Sequence, residues 1–295
     1  MARARKKAIT QRLSLTGKKA SAPLDLLRPG MPALDSIRDD KTTFTPTKGG
    51  PTYRILKTTE TDGYETSAPA VALRAATQGV LTPDPAAIAA ADNLPVVKAE
   101  PGMTVEAAAL SDNFAGTDRK AAKLSLATGK MQTYKNVSLL IATLASTAAM
   151  VKLKISQEPT SNRVSVEERN VHVSGYLYAC SREADNDFHL IVGLPPTPGQ
   201  ETYMTMEVSG LPPTDDPAYP ELNAARTAFK TFFKNKNLPG AGYHFYDPPI
   251  PVTAEGSLFF DVKHSTGIAP GPKSLKSRMI TIWEVHPVSK IVLGP

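Results

Sequence analysis

Three acid–histidine pairs carry the chemistry that can be read from this chain: Asp187 with His189, Asp261 with His264, and Glu284 with His286. Imidazole nitrogen and carboxylate oxygen are the donors that hold zinc and other first-row divalent ions. The same couple moves protons in general acid–base chemistry. In an extended chain residues i and i+2 share a face, so Asp187 and His189 project together, opposite Phe188 and Leu190. Glu284 and His286 likewise project together, opposite Trp283 and Val285, whose bulk suits a core. Asp261 and His264 are three apart, where a strand gives way to a loop. None of these spacings is a compact metal-hydrolase motif such as H-E-x-x-H, and no catalytic residue can be assigned from them. Three readings stay open: a hydrogen-bonded network that fixes the closing strand to nearby loops, a metal or small-anion site, or acid–base catalysis. The first is the expectation. No cofactor fingerprint is present, so none is expected, though a divalent metal is a group these donors could take.

The elements that must position these pairs lie in the last half of the chain. After "VKLKIS", which alternates strictly from Val151, come "RNVHVSGYLYACSRE", "DFHLIVGLP", "TYMTMEVSG", "IPVTAEGSLFFDVKH" and "MITIWEVHPVSKIVL". These five segments have period-two patterning or compact apolar runs and read as strands. Between the third and fourth lies one helical segment, "ELNAARTAFKTFFKNKN", with Leu222, Ala225, Phe229 and Phe232 or Phe233 on its apolar face. Tyr219-Pro220 precedes it and Leu238-Pro239-Gly240 ends it. Three strands, a helix and two strands is the order of an OB-like five-stranded barrel. In such a barrel the loops after strands one and four rim one surface. The three pairs are therefore expected to converge at the start of strand two and the loop between strands four and five.

The segments "HVSGYLY", "DFHLIVG", "MTMEVSG", "EGSLFFDVKHSTG" and "WEVHPVSKI", in that order, resemble a family of uncharacterised bacterial proteins with an OB-like barrel. Its last strand is similar to W-E-[IV]-H-P-V, after a strand ending in F-[FY]-D-x-x-H. The resemblance covers about residues 164–293. It implies the barrel and an exported location, but no activity. This chain departs from the family's exported members in its N-terminus, which lacks the apolar core of a secretory signal; a cytoplasmic location or an unassigned one is the expectation, and the acid-free Arg/Ser/Ala composition also suits an organelle transit peptide.

The rest of the chain divides by composition. Residues 1–50 read as a flexible basic arm, 51–150 as an Ala/Pro/Thr-rich region with short strands and a helix near 137–150, and 151–295 as the barrel domain. Within the middle region "TYRILKTTE" is a candidate strand. The net charge of +6 is uneven: residues 1–60 hold 13 Lys/Arg against 5 Asp/Glu, whereas residues 151–295 hold 14 against 15. Arg3, Arg5, Lys6, Lys7, Arg12, Lys18 and Lys19 are the candidate polyanion contacts, with nucleic acid, or a neighbouring subunit in an assembly, as the partner. A binding or structural module without catalysis is the first reading, and a metal-dependent hydrolase the alternative. The 16 uncharged residues between Lys135 and Lys152 would span ~24 Å as a helix, short of a ~30 Å hydrocarbon core. They read as an amphipathic or buried helix, and no membrane span is expected.

Weaker candidates remain. Lys273, Lys276 and Arg278 stand in a Gly/Pro/Ser loop that lacks phosphate-loop spacing. Tyr176, Tyr178 and Phe188 could stack on bases, or simply pack. The single cysteine, Cys180, can form no intrachain disulfide and has little support as a nucleophile. His172 and His244 read as ordinary, the latter outside the strands.

Overall fold

A computed structural model describes residues 30–61, 112–266, 270–275 and 278–295. Lys276, residues 62–111 and the seven arm cations from Arg3 to Lys19 lie outside the described residues.

The described chain is mainly β. Its strands are β1 (Ile37–Phe44), β2 (Tyr53–Thr58), β3 (Met131–Tyr134), β4 (Asn170–Arg182), β5 (Phe188–Gly193), β6 (Tyr203–Val208), β7 (His244–Phe260) and β8 (Met279–Leu293). Its α-helices are α1 (Lys120–Lys123), α2 (Val137–Ile141), α3 (Thr147–Val151) and α4 (Tyr219–Phe232). The strands form one sheet in the order β1-β2-β7-β8-β6-β5-β4-β3, and an added β7–β4 pairing closes five of them into a barrel. Around the barrel every pairing is antiparallel except β6 with β8. A parallel pair needs a long crossover, and α4 lies on the connection from β6 to β7. The helix thus falls between the third and fourth barrel strands, as the sequence order led us to expect.

Leu190 and Val192 of β5, Met204, Met206 and Val208 of β6, Leu258 and Phe260 of β7, and Trp283 and Val285 of β8 join Val171, Val173 and Leu177 of β4 in one buried cluster. Only the interior face of a closed barrel touches all five strands, so these side chains fill the lumen. Helix α4 contributes Phe229, whose ring centroid lies 4.8 Å from that of Phe188. Its first turn includes Pro220, where a missing N–H costs nothing, so the helix begins earlier than the expected Glu221. It ends at Phe232, before Leu238-Pro239-Gly240, as Lys234 and Asn235 turn to positive φ.

Several expectations need correction. The alternating "VKLKIS", outside the five segments read as strands, forms none: Val151 ends α3, Lys152 and Leu153 turn, and Val151 and Leu153 are exposed. Its alternation had no partner strand to use it. The single helix near 137–150 is two short helices, because Asn136 and Ser146 each cap a new N-terminus by accepting from Leu139 N–H and Ala149 N–H. Among the described residues no helix is long and apolar enough to cross a membrane. His244 is not outside the strands; it opens β7, which runs through the proline-bearing "YDPPIP" and pairs there with β2. Strand β1 lies inside the stretch that composition marks as arm, and it pairs antiparallel with β2.

Candidate functional site

On β5, β6 and β8 the residues that alternate with the lumen side chains are His189, Thr205, Glu207, Glu284 and His286, so they occupy the outer face of the barrel. Register brings them together: His189 faces Glu207 across β5 and β6, and Thr205 faces Glu284 across β6 and β8. Asp187 sits one residue before β5, and Asp261 and His264 sit just after β7. The three pairs expected from the sequence do converge.

His286 is the centre. Its Nδ1 lies 2.7 Å from Glu207 Oε2 and 3.5 Å from Glu284 Oε2, and its Nε2 lies 3.4 Å from Asp187 Oδ2. On one side His189 meets Glu183 through Nδ1 and Thr205 Oγ1, at 3.1 Å, through Nε2. On the other, His264 Nε2 lies 3.3 Å from Asp261 Oδ2. Potential donor atoms fall within 4.8 Å of one another in three groups: Glu183, His189 and Glu207; Asp187, Glu207 and His286; Asp261, His264 and Glu284. Glu207 belongs to the first two, and the Glu284–His286 contact joins the third. The imidazoles therefore belong to one continuous cluster.

This outer face is not open to water. None of Asp187, His189, Glu207, Glu284 and His286 is more than 3% exposed. Residues 112–127 lie across it and are fastened at several points. Phe114 N–H donates to Leu211 carbonyl oxygen, Leu211 N–H to Asp112 carbonyl oxygen, and Ala115 N–H to Asp185 carbonyl oxygen. Lys123 Nζ reaches Asp185 Oδ2 at 3.0 Å. Arg119 is buried in a two-pronged pair with Glu167, and its guanidinium stands 4.6 Å over the Phe259 ring. Arg163 donates to the carbonyl oxygens of Ala122, Ser125, Leu258 and His286, tying cover to barrel. Gly210 admits the cover: a Cβ there would stand 2.6 Å from Phe114 Cα. Its N–H donates to Asp187 Oδ1 at 2.6 Å.

Burial governs the charges. Loss of water pushes the Asp187, Glu207 and Glu284 carboxyls up, reinforced for Asp187 by Asp185 and for Glu284 by Glu207. The same burial pulls His286 down to about 3. Lys123 is held well above its ordinary value, since Asp185, Glu207, Asp187 and Asp261 outweigh its own desolvation. Several acceptors and both ring nitrogens nevertheless lack a well-formed hydrogen bond: Asp187 Oδ2, Glu207 Oε2, Glu284 Oε2, and His286 Nδ1 and Nε2. Such atoms are costly to bury. A mixed set of one imidazole and carboxylates can hold a divalent cation or share protons.

The weaker candidates fall away from this site. Cys180 is fully buried and its thiol is pushed well up by that burial. Phe188 packs in the lumen, and Tyr178 is buried edge-to-face against Tyr203, so neither is a platform for a base; Tyr176 is partly exposed. Lys273 is exposed, Arg278 lies 3.8 Å from Glu201, and the intervening Ser274 donates twice to the buried Glu60. His172 makes a partly exposed cross-strand contact with Glu255.

Sequence reasoning missed Glu207, Glu183, Asp185 and Lys123. It also missed the buried arginines Arg119 and Arg226 and the half-buried Arg163. Arg226 left a signal, one position past Ala225 on the apolar stripe of α4. Its guanidinium covers the Phe188 ring at 4.6 Å and donates to Asn186 and Ser209 carbonyl oxygens.

The fold and site define a closed five-stranded barrel with a covered acid–histidine face. No family model matches the sequence, and neither a curated protein nor a solved structure gives a match.

Proposed function

We propose that this chain is a non-enzymatic binding module in which the barrel is the scaffold and the basic N-terminal sequence engages nucleic acid. The observation that carries this is a separation: the side chains with catalytic potential are buried beneath residues 112–127, while the cationic excess lies in residues 1–60. The strand order and helix position support an OB-fold reading. OB barrels take oligonucleotides on the face of strands two and three and on the loops after strands one and four. In this chain that position is covered by its own residues, which leaves phosphate contacts to Arg3, Arg5, Lys6, Lys7, Arg12, Lys18 and Lys19. The alternative, a metal-dependent hydrolase, needs a substrate path to side chains that the cover closes.

The test compares binding of a labelled DNA duplex by the full chain and by a chain lacking residues 1–20. Loss of most binding supports the reading. Unchanged binding overturns it, as does loss of self-association in place of DNA binding, which would make a neighbouring subunit the partner.

A further inference from the structure

We infer that Asp187, Glu207 and His286, with Glu284 alongside, form a binding site for one divalent first-row metal ion, which fastens β5, β6 and β8 beneath the cover. Two independent observations carry this. The donor atoms of Asp187, Glu207 and His286 lie within 4.8 Å of one another. The same cluster holds buried atoms without a well-formed hydrogen bond, namely Asp187 Oδ2, Glu207 Oε2, Glu284 Oε2 and both nitrogens of His286.

A zinc ion with bonds of about 2.0–2.2 Å sets tetrahedral ligand atoms roughly 3.3 Å apart. An imidazole offers one nitrogen to one ion: His286 Nδ1 stands 3.5 Å from Glu284 Oε2, whereas Asp187 Oδ2 lies 3.4 Å from the other nitrogen, Nε2. Glu207 Oε2, 2.7 Å from Nδ1, would move back by about half an ångström to ligate an ion, and Asp187 would close in from within the 4.8 Å that one donor atom from each of the three residues spans. Charge argues in the same direction. Asp187, Glu207 and Glu284 are buried together, and the partly buried Lys123 ammonium beside them is already paired with Asp185. A divalent ion supplies the missing positive charge and a partner for each unmatched oxygen. Asp261 and His264 are only partly buried, at the margin of the cluster.

The donor set favours zinc, manganese or iron over calcium, since one ligand is imidazole. The role is structural, because the ligands are enclosed. It goes beyond nucleic-acid engagement and does not depend on it.

The experiment uses the untagged full chain. Metal content is measured by mass spectrometry of the purified protein, and the thermal midpoint is followed with chelator and then with added Zn²⁺, Mn²⁺ or Fe²⁺ under anaerobic conditions. The expected result is about one equivalent of metal, a midpoint lowered by chelator, and recovery with the retained metal. Glu207→Gln and His286→Gln should each lose the metal and the chelator response, while His172→Gln keeps both. A wild-type chain that carries no metal, and whose midpoint none of the three ions raises, overturns the site and leaves a proton-sharing network. That measurement needs no variant to fold. Metal retained by both Glu207→Gln and His286→Gln would also overturn it, placing the ion elsewhere.

Discussion

Arg119 and Glu167 face each other as a matched fork, Nη1 to Oε1 at 2.8 Å and Nη2 to Oε2 at 2.7 Å, with neither side chain more than 1% exposed. Glu167 Oε1 also accepts Phe260 N–H, so this one contact joins the cover to the end of β7. Removing one member leaves an uncompensated buried charge. Arg119→Ala or Glu167→Ala should therefore cost about 3–5 kcal/mol in urea unfolding. Lys290→Ala, which removes an exposed partner of Glu255, should change stability by less than about 1 kcal/mol. Similar losses at the two places would contradict the clamp.

Gly210→Ala should destabilise the protein by about 1–3 kcal/mol, because the added methyl would press on the backbone at Phe114. The loss should come with faster amide exchange at Phe114 and Ala115, whose N–H groups bond across the contact. Gly240→Ala, with nothing within 4 Å of the new Cβ, serves as the control. It should fall within about 0.5 kcal/mol of wild type.

Phe229→Ala should cost about 3–5 kcal/mol, since its ring is fully buried between Phe188 and Phe233 at the helix–barrel contact. Denaturant midpoints measure this directly. A loss below about 1 kcal/mol would mean that α4 does not pack on the barrel as described.

His244 gives a pH dependence separate from the acid cluster. Burial, helped by Lys57, lowers it from 6.5 to about 4. The folded state then binds fewer protons than the unfolded state between those values. Stability that is fully present above pH ~6.5 declines as pH falls toward ~4, by about 2–3 kcal/mol in all. His244→Gln should flatten that part of the stability–pH curve. An unchanged slope would assign the dependence to other groups.

Much of the barrel was legible. Strand β8 was read from Met279 to Leu293, and those are its bounds, because apolar and β-branched residues recur along it on both sides of Glu284 and His286. The acid–histidine pairs were legible through the shared face of i and i+2. Glu207 was not, for the same reason: polar alternation in "MTMEVSG" marks a solvent face, and only a cover from elsewhere makes it interior. That cover has no period of its own. Lys123 meets Asp185 across 62 positions of sequence, a pairing that spacing cannot reveal. The helix near 137–150 failed because its apolar spacing outweighed two cap residues, Asn136 and Ser146, that divide it.

The central claim is that nucleic-acid affinity belongs to the basic N-terminal sequence, with the barrel as its support. The salt dependence of duplex binding tests it most directly. Each phosphate neutralised contributes about 0.9 to the slope of log affinity against log salt. Seven cations lie within residues 1–20, so the full chain should show a slope of up to about −6 from that segment. The chain lacking residues 1–20 should bind weakly with a nearly flat slope. Equal slopes and affinities for the two chains would contradict the account and move the binding surface to the residues beyond 20.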